Sequence, residues 1–169
     1  MKTIKRLELR AYRERLAESK EPYNACFSQP HEVAAVVRSI FHGVDHESFL
    51  AIPVDIKNKV LGYVEAARGG VDQCQVAARE VFRAAVFMGA TSVILAHNHP
   101  SGDPAPSVDD KFLTDRLCEA GKLLGIPVLD HLIVSEKGYY SFAEQGLIKT
   151  DDLAGLLLKQ KKAKPRKAF

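Results

Sequence analysis

With 169 residues, 46% of them hydrophobic and 27% charged, the chain has room for one ordinary globular domain with a substantial core. No apolar run approaches the roughly 18 to 20 residues that a membrane-spanning helix needs, and no apolar stretch of a secretory signal follows the charged start. The three cysteines (Cys26, Cys74 and Cys118) include no C-x-x-C pair, which argues against a disulfide framework or a cysteine-rich zinc knuckle. We therefore expect a cytoplasmic protein without a membrane segment.

The net charge of +3 is unevenly distributed along the chain. Residues 1–23 carry seven basic and four acidic side chains, and residues 159–169 carry six basic side chains and no acidic one. The pattern predicts a charged N-terminal segment (1–23), a folded domain (24–150) and a basic, disordered tail (151–169). The tail is either a solubilising terminus or an arm that makes weak contact with nucleic acid, and charge alone does not decide between them.

The first half of the chain predicts two helices and a hairpin. Residues 4–19 can form a short charged helix, and a second helix is predicted from Pro30 to about Phe41, with apolar residues at helical spacing. A β-like run over 48–55 is followed by a turn and by a predicted return strand over 60–64.

The second half alternates helices with strands. Amphipathic helices are predicted over 75–88 and 107–124, and a continuous apolar run over 92–96 is typical of a fully buried strand. Another strand is predicted over 128–134, followed by a turn at Gly138. This alternation predicts an α/β or α+β fold in which a mixed sheet is flanked by helices.

The most informative stretch runs from His97 to Asp110. His97 and His99 follow the buried strand at i and i+2, so their side chains should point to the same face. A stiff loop with three prolines and a glycine then leads to Ser107, and Asp110 lies in the first turn of the next helix. Two imidazoles and one carboxylate are a normal ligand set for catalytic zinc, with a fourth position left for water.

Structural explanations exist for each part of this stretch. Ser107-x-x-Asp110 is also a helix-capping pattern, although a carboxylate in the first helical turn remains free to bind a cation. A His-x-His pair alone is a weak signal. His131 lies in an apolar strand and is either a core histidine or a residue that supports a metal ligand.

The spacing H-x-H, seven residues, S-x-x-D resembles the JAMM motif of the MPN-plus metalloproteases. Three wider stretches (94–104, 123–126 and 129–133) resemble the RadC branch of that class. The resemblance covers about residues 28–148 and does not extend to the helix-hairpin-helix region that usually precedes the domain in that branch. It implies a JAB/MPN-like fold, with a layout similar to that of the cytidine deaminases.

The resemblance also implies the role of each site residue. Zinc would be bound by His97, His99 and Asp110, and Ser107 would assist at the substrate carbonyl. The family needs a glutamate just before the first core strand as general base on the zinc-activated water, and Glu47 occupies that place. Without the resemblance, Glu47 would be taken for a solvated charge.

The predicted function is that of a zinc-dependent metallopeptidase or isopeptidase. The substrate is a peptide or protein, and whether it carries a ubiquitin-like tail stays open, as does the oligomeric state. The alternative is a DNA-associated, repair-linked protein without proteolytic activity, or a domain that binds metal but is inactive. A zinc deaminase is disfavoured because its H-x-E and P-C-x-x-C signatures are absent.

Overall fold

The computed structural model describes residues 26–69 and 76–148. Helices and strands alternate within this part of the chain, and its elements in chain order are α1 (Pro30–Ile40), β1 (Ser48–Val54), β2 (Val64–Arg68), α2 (Ala78–Phe87), β3 (Ser92–Asn98), α3 (Val108–Leu124), β4 (Val128–Val134) and β5 (Tyr139–Ser141). The predicted terminal segments, 1–23 and 151–169, lie outside the described residues, as does the predicted helix over 4–19.

The strands form one mixed sheet in the order β2-β1-β3-β4-β5. β3 and β4 are parallel and are connected through α3, whereas the other neighbouring pairs are antiparallel. β3 is the middle strand, and its neighbours place Phe49 and Ile133 opposite His97. The predicted mixed sheet with flanking helices is confirmed.

Helices cover both faces of the sheet, which explains why β1, β3 and β4 are buried along their whole length. On one face, α1 packs over β4 and β5. On the other face, α2 contacts β1 and α3 contacts β4. Strands covered on both faces read as continuous apolar runs, and this is the pattern that made residues 92–96 recognisable as a strand.

The end of α3 is fixed by two glycines. Gly125 has φ +68°, a left-handed conformation typical of glycine at a helix C-terminus. Within the last turn, a Cβ at Gly121 would lie 2.6 Å from the carbonyl oxygen of Ile126, so only glycine allows the chain to approach the helix there. The close return leads directly into β4.

The return strand of the predicted hairpin is shifted along the chain. The prediction placed it over 60–64, but the structure has only an isolated bridge at Val60, and β2 begins at Val64. The intervening residues follow a turn in which the Asp55 carboxylate accepts hydrogen bonds from two backbone N–H groups. The prediction followed the apolar residues and therefore missed charged positions, such as Glu65, that an edge strand tolerates.

Other element ends differ by a few residues. The helix predicted over 75–88 is observed as Ala78–Phe87, and residues 70–75 lie outside the described part. β3 continues through His97 and Asn98, beyond the predicted end at Ala96. Across the described ranges, no helix is long and apolar enough to cross a membrane.

Candidate metal centre

The end of β3 brings two histidine rings together. His97 is the sixth residue of β3, and His99, two residues later, directly follows the end of the strand. Both side chains therefore leave the same face of the sheet. Their Nε2 atoms lie 3.0 Å apart. His97 is buried and its ring stacks on Phe49 of β1, whereas His99 is partly exposed. The predicted convergence of the two imidazoles is therefore present.

The first turn of α3 holds Asp110 against these rings. Ser107 is the N-cap residue: its Oγ accepts from the Asp110 N–H at 3.0 Å, and both its N–H and its hydroxyl donate to Asp110 Oδ2 at 2.7 Å. This reciprocal capping box fixes the carboxylate. Asp110 Oδ1 lies 3.1 Å from His97 Nε2, and Oδ2 lies 3.6 Å from His99 Nε2. One carboxylate thus both caps the helix and faces the imidazoles.

The outer nitrogen of each ring is engaged on the side away from this cluster. His99 Nδ1 lies 2.8 Å from the carbonyl oxygen of Asp103, which can only accept, so His99 Nδ1 donates and its neutral ring has a bare Nε2. His97 Nδ1 lies 2.9 Å from Nε2 of the fully buried His131. The loop between β3 and α3 therefore orients His99, and β4 supports His97.

Glu47 reaches the same cluster from the start of β1. Its Oε1 lies 3.9 Å from both Nε2 atoms, and its side chain is 17% exposed, compared with 1% for His97 and Asp110. Glu47, His97 and His99 offer ligand atoms that all lie within 4.8 Å of one another, so this group could bind a metal ion. The cluster has a buried floor of His97 and Asp110 and a more open rim of Glu47 and His99.

Asn98 fixes the backbone on both sides of Glu47. Its side chain points away from the histidines, accepts from the Ser48 N–H at 2.7 Å and donates to the His46 carbonyl at 2.8 Å. The backbone carbonyl of Glu47 itself accepts from the Gly69 N–H at 2.8 Å. The residue between the two histidines thus holds the strand end that carries the carboxylate.

The surroundings of the cluster favour an ionised Asp110 carboxylate and a neutral His131 ring. Burial opposes ionisation of Asp110, but the close approach of the His97 and His99 rings outweighs it and holds the pKa of Asp110 well below its usual range. The contact with Asp110 in turn raises the pKa of His99, against the opposing effect of burial. Burial lowers the pKa of His131 well below that of a free imidazole.

The donor set fits a cation. Asp110 Oδ1 is buried without a hydrogen-bond partner, one of two such side-chain atoms in the described ranges. A buried ionised oxygen without a partner is costly, and a cation between it and the imidazole nitrogens removes that cost. Imidazole and carboxylate ligands together suit zinc and neighbouring transition metals.

All five residues predicted for the site lie in this cluster or next to it. His97, His99, Asp110 and Glu47 point at one another, whereas the Ser107 hydroxyl is directed at the Asp110 carboxylate. Their roles as ligands, base and carbonyl partner stay predictions.

Sequence reasoning missed two residues near this cluster. Asn98 was passed over as the variable residue between two histidines, and Thr114 as an ordinary residue of an amphipathic helix. The one available signal for Thr114 was its position one helical turn after Asp110, on the same face of α3.

Comparison with known proteins agrees with this geometry. Residues 27–147 match the family model described as the RadC-like JAB domain. The chain is similar to a "UPF0758 protein" of Clostridium perfringens, with 43% identity over 121 residues that cover 72% of this chain and 53% of that protein. A namesake from Trichlorobacter lovleyi is 44% identical over 122 residues, with the same coverage. A third, from Rubrobacter xylanophilus, is 40% identical over 134 residues, or 79% of this chain and 59% of that protein.

The chain spans about half the length of these curated relatives. The match nevertheless includes every residue of the described cluster, since it begins before Glu47 and ends after His131. A family model that covers most of the folded part, together with relatives above 40% identity, leaves one assignment: the chain belongs to the RadC-like JAB domain family.

Proposed function

We propose that the chain is a zinc-dependent hydrolase that cleaves amide bonds in a peptide or protein substrate. The observation that supports this most is the convergence of two imidazole nitrogens with a buried, unpaired carboxylate oxygen, beside a second carboxylate at the rim. Zinc would be held by His97, His99 and Asp110. When bound, such a metal polarises a carbonyl group and lowers the pKa of water to about 7.

Glu47 is the proposed general base. Its Oε1 lies 3.9 Å from both candidate ligand nitrogens, beyond the hydrogen-bond range, and on the more exposed side of the cluster. A carboxylate in this position can accept a proton from a water molecule and deliver it to the leaving amine. The backbone contacts around Glu47 keep it there, so the group needs little rearrangement before reaction.

Ser107 has two proposed roles that compete for one proton. Its hydroxyl donates to Asp110 Oδ2, which supports a role in holding the candidate ligand. A role at the substrate carbonyl requires the hydroxyl to turn away from Asp110 and donate to the developing oxyanion. Ser107 itself is exposed at the start of α3.

The proposal is tested by metal analysis combined with an unbiased peptide-cleavage screen on the full chain. We expect about one zinc per chain in protein purified without chelator. Glu47→Gln should retain this zinc and the wild-type thermal stability while hydrolysis falls by about 10² to 10⁴-fold, because only the proton transfer is lost. Glu136→Gln, the same change at an exposed turn residue outside the cluster, is the matched control.

Three outcomes would contradict parts of the proposal. Full zinc occupancy in His97→Ala/His99→Ala would remove the metal centre from this cluster. Loss of zinc in Glu47→Gln equal to that in the histidine variants would make Glu47 a ligand rather than the base. Zinc occupancy without cleavage of any peptide in the screen would favour the inactive metal-binding alternative.

A further inference from the structure

Behind the candidate ligand His97 lies a chain of three short hydrogen bonds that ends in α3. His97 Nδ1 lies 2.9 Å from His131 Nε2, and His131 Nδ1 lies 2.6 Å from Thr114 Oγ1. The Thr114 hydroxyl also donates to the backbone carbonyl of Asp110 at 2.6 Å. His131 and Thr114 are almost fully buried, with 0% and 1% exposure, so no solvent water can substitute for these contacts.

The direction of donation along this chain follows from the chemistry of its far end. The Asp110 carbonyl can only accept, so a hydroxyl that donates to it has no second proton for His131. His131 Nδ1 must then be the donor to Thr114 Oγ1. A buried neutral imidazole carries a single proton, so His131 Nε2 is bare and accepts from His97 Nδ1. The remaining nitrogen, His97 Nε2, has a free lone pair.

That lone pair faces the other candidate ligands. His97 Nε2 lies 3.0 Å from His99 Nε2 and 3.1 Å from Asp110 Oδ1. We propose that Thr114 and His131 are positioning residues that hold His97 in the tautomer whose Nε2 can bind a metal. The inference rests on the proposed metal centre and extends it beyond its immediate ligands.

A hydroxyl at the end of this series of hydrogen bonds can either accept from His131 or donate to it. If the Thr114 hydroxyl rotates towards His131, every bond in the chain can reverse and His97 carries its proton on Nε2, facing His99. A cation at His97 Nε2 is compatible only with the first direction. Thr114 satisfies the buried ring in either direction, and a side chain without a hydroxyl satisfies it in neither.

The rings are also fixed in orientation. His131 stacks on Phe142 with centroids 4.9 Å apart and an interplanar angle of 16°, and His97 stacks on Phe49 at 5.8 Å and 14°. Stacking restricts each ring to one plane. The hydrogen-bond partners at the ring edge then determine which nitrogen carries the proton.

The experiment compares the zinc affinity of the wild-type chain with that of Thr114→Val, Thr114→Ser and Thr91→Val by competition with a chromogenic chelator. Thr114→Val keeps the shape of the side chain and removes the hydroxyl, and should weaken zinc binding by about 10- to 100-fold. Thr114→Ser restores the hydroxyl and should return the affinity to the wild-type range. Thr91→Val, the same change at an exposed residue directly before β3 and far from His97, is the control.

Nitrogen NMR of the histidine rings in chelator-treated wild-type protein gives a second measurement, because bound zinc would itself place the His97 proton on Nδ1. A residue that only fills the core would not need to hold this tautomer without metal. We expect the His131 proton on Nδ1, with Nε2 unprotonated. A His131 proton on Nε2 would overturn the inference, as would equal zinc affinity of Thr114→Val and wild type. If Thr114→Val does not fold, the wild-type spectrum still decides. A wild-type chain that takes up no zinc would instead refute the proposed metal centre.

Discussion

Asn98 offers a direct test of how the strand end carrying Glu47 is held in place. Replacement by alanine removes two hydrogen bonds of 2.7 and 2.8 Å, one to the Ser48 N–H and one to the His46 carbonyl. Asn98 is 6% exposed and Ser48 is 3% exposed, so water cannot readily take over the lost bond to Ser48. Since the Asn98 side chain bonds to Ser48 and His46 and not to the imidazoles, the variant separates positioning of the proposed base from the proposed binding of metal.

The expected cost follows from the environment of the two groups. A buried N–H left without a partner costs about 1 to 3 kcal/mol, and the partly buried carbonyl of His46 about 0.5 to 1.5 kcal/mol. The total, about 1.5 to 4.5 kcal/mol, corresponds to a fall in Tm of about 6 to 17 °C for a domain of this size. Because Asn98 no longer holds the backbone at His46 and Ser48, the proposed base Glu47 should lose most of its hydrolytic effectiveness while the proposed metal ligands stay in place.

Thermal unfolding of chelator-treated protein measures the stability effect without a contribution from bound metal. Metal content and hydrolysis are then compared at a temperature well below melting. Gln145→Ala, which removes an exposed side-chain amide, serves as the control and should leave Tm unchanged. If Asn98→Ala has the same Tm as Gln145→Ala, the two hydrogen bonds do not hold the start of β1 and the positioning argument fails.

Three further predictions concern the cap, a buried carboxyl and the tail. Ser107→Ala should lower the free energy of unfolding by about 1 kcal/mol, because the N-cap is lost. A loss of turnover of roughly 10² to 10³-fold would indicate a further role at the substrate carbonyl. Near-normal turnover would leave Ser107 only as support for Asp110. Burial raises the pKa of Asp130 above its ordinary value, so the folded carboxyl keeps its proton to a higher pH than the unfolded one. Wild-type stability should therefore fall relative to Asp130→Asn as the pH rises from about 4 through the folded pKa, and a gap in urea unfolding that does not change with pH would contradict this. Truncation after Leu158 should abolish any weak, steeply salt-dependent nucleic-acid binding without changing metal content, and binding retained by the truncated chain would exclude the tail.

The part of the site that the sequence predicted is the part that is local. His97, His99, Ser107 and Asp110 lie within one stretch in which a strand end, a stiff loop and a helix start determine the geometry almost independently of the rest of the chain. Alternation along the strand gives the shared face of the histidines, and the capping box gives the direction of the aspartate. Each of these rules applies over a few residues, so the spacing alone is informative.

Glu47 is different because no local rule distinguishes it from any other charge before a strand. It lies 50 residues before His97 in the chain and reaches the cluster only because β1 pairs with β3 in a register that places Phe49 opposite His97. Strand pairing at this separation depends on the whole sheet. The resemblance to a family supplied what the pattern of residues could not.

His131, like Glu47, could be placed at the cluster only with the structure, because its position depends on strand pairing. The order of the strands explains why both residues reach the histidines of β3. β3 is the middle strand, so it has one neighbour on each side at its histidine end. On one side Glu47 directly precedes β1, and on the other side β4 contributes His131. An edge strand with the same H-x-H spacing would have one neighbour only, and would lack either the carboxylate or the buried ring. The position of β3 within the sheet, rather than the spacing of its histidines, is therefore what brings the proposed ligands, the proposed base and the buried His131 together at a single point.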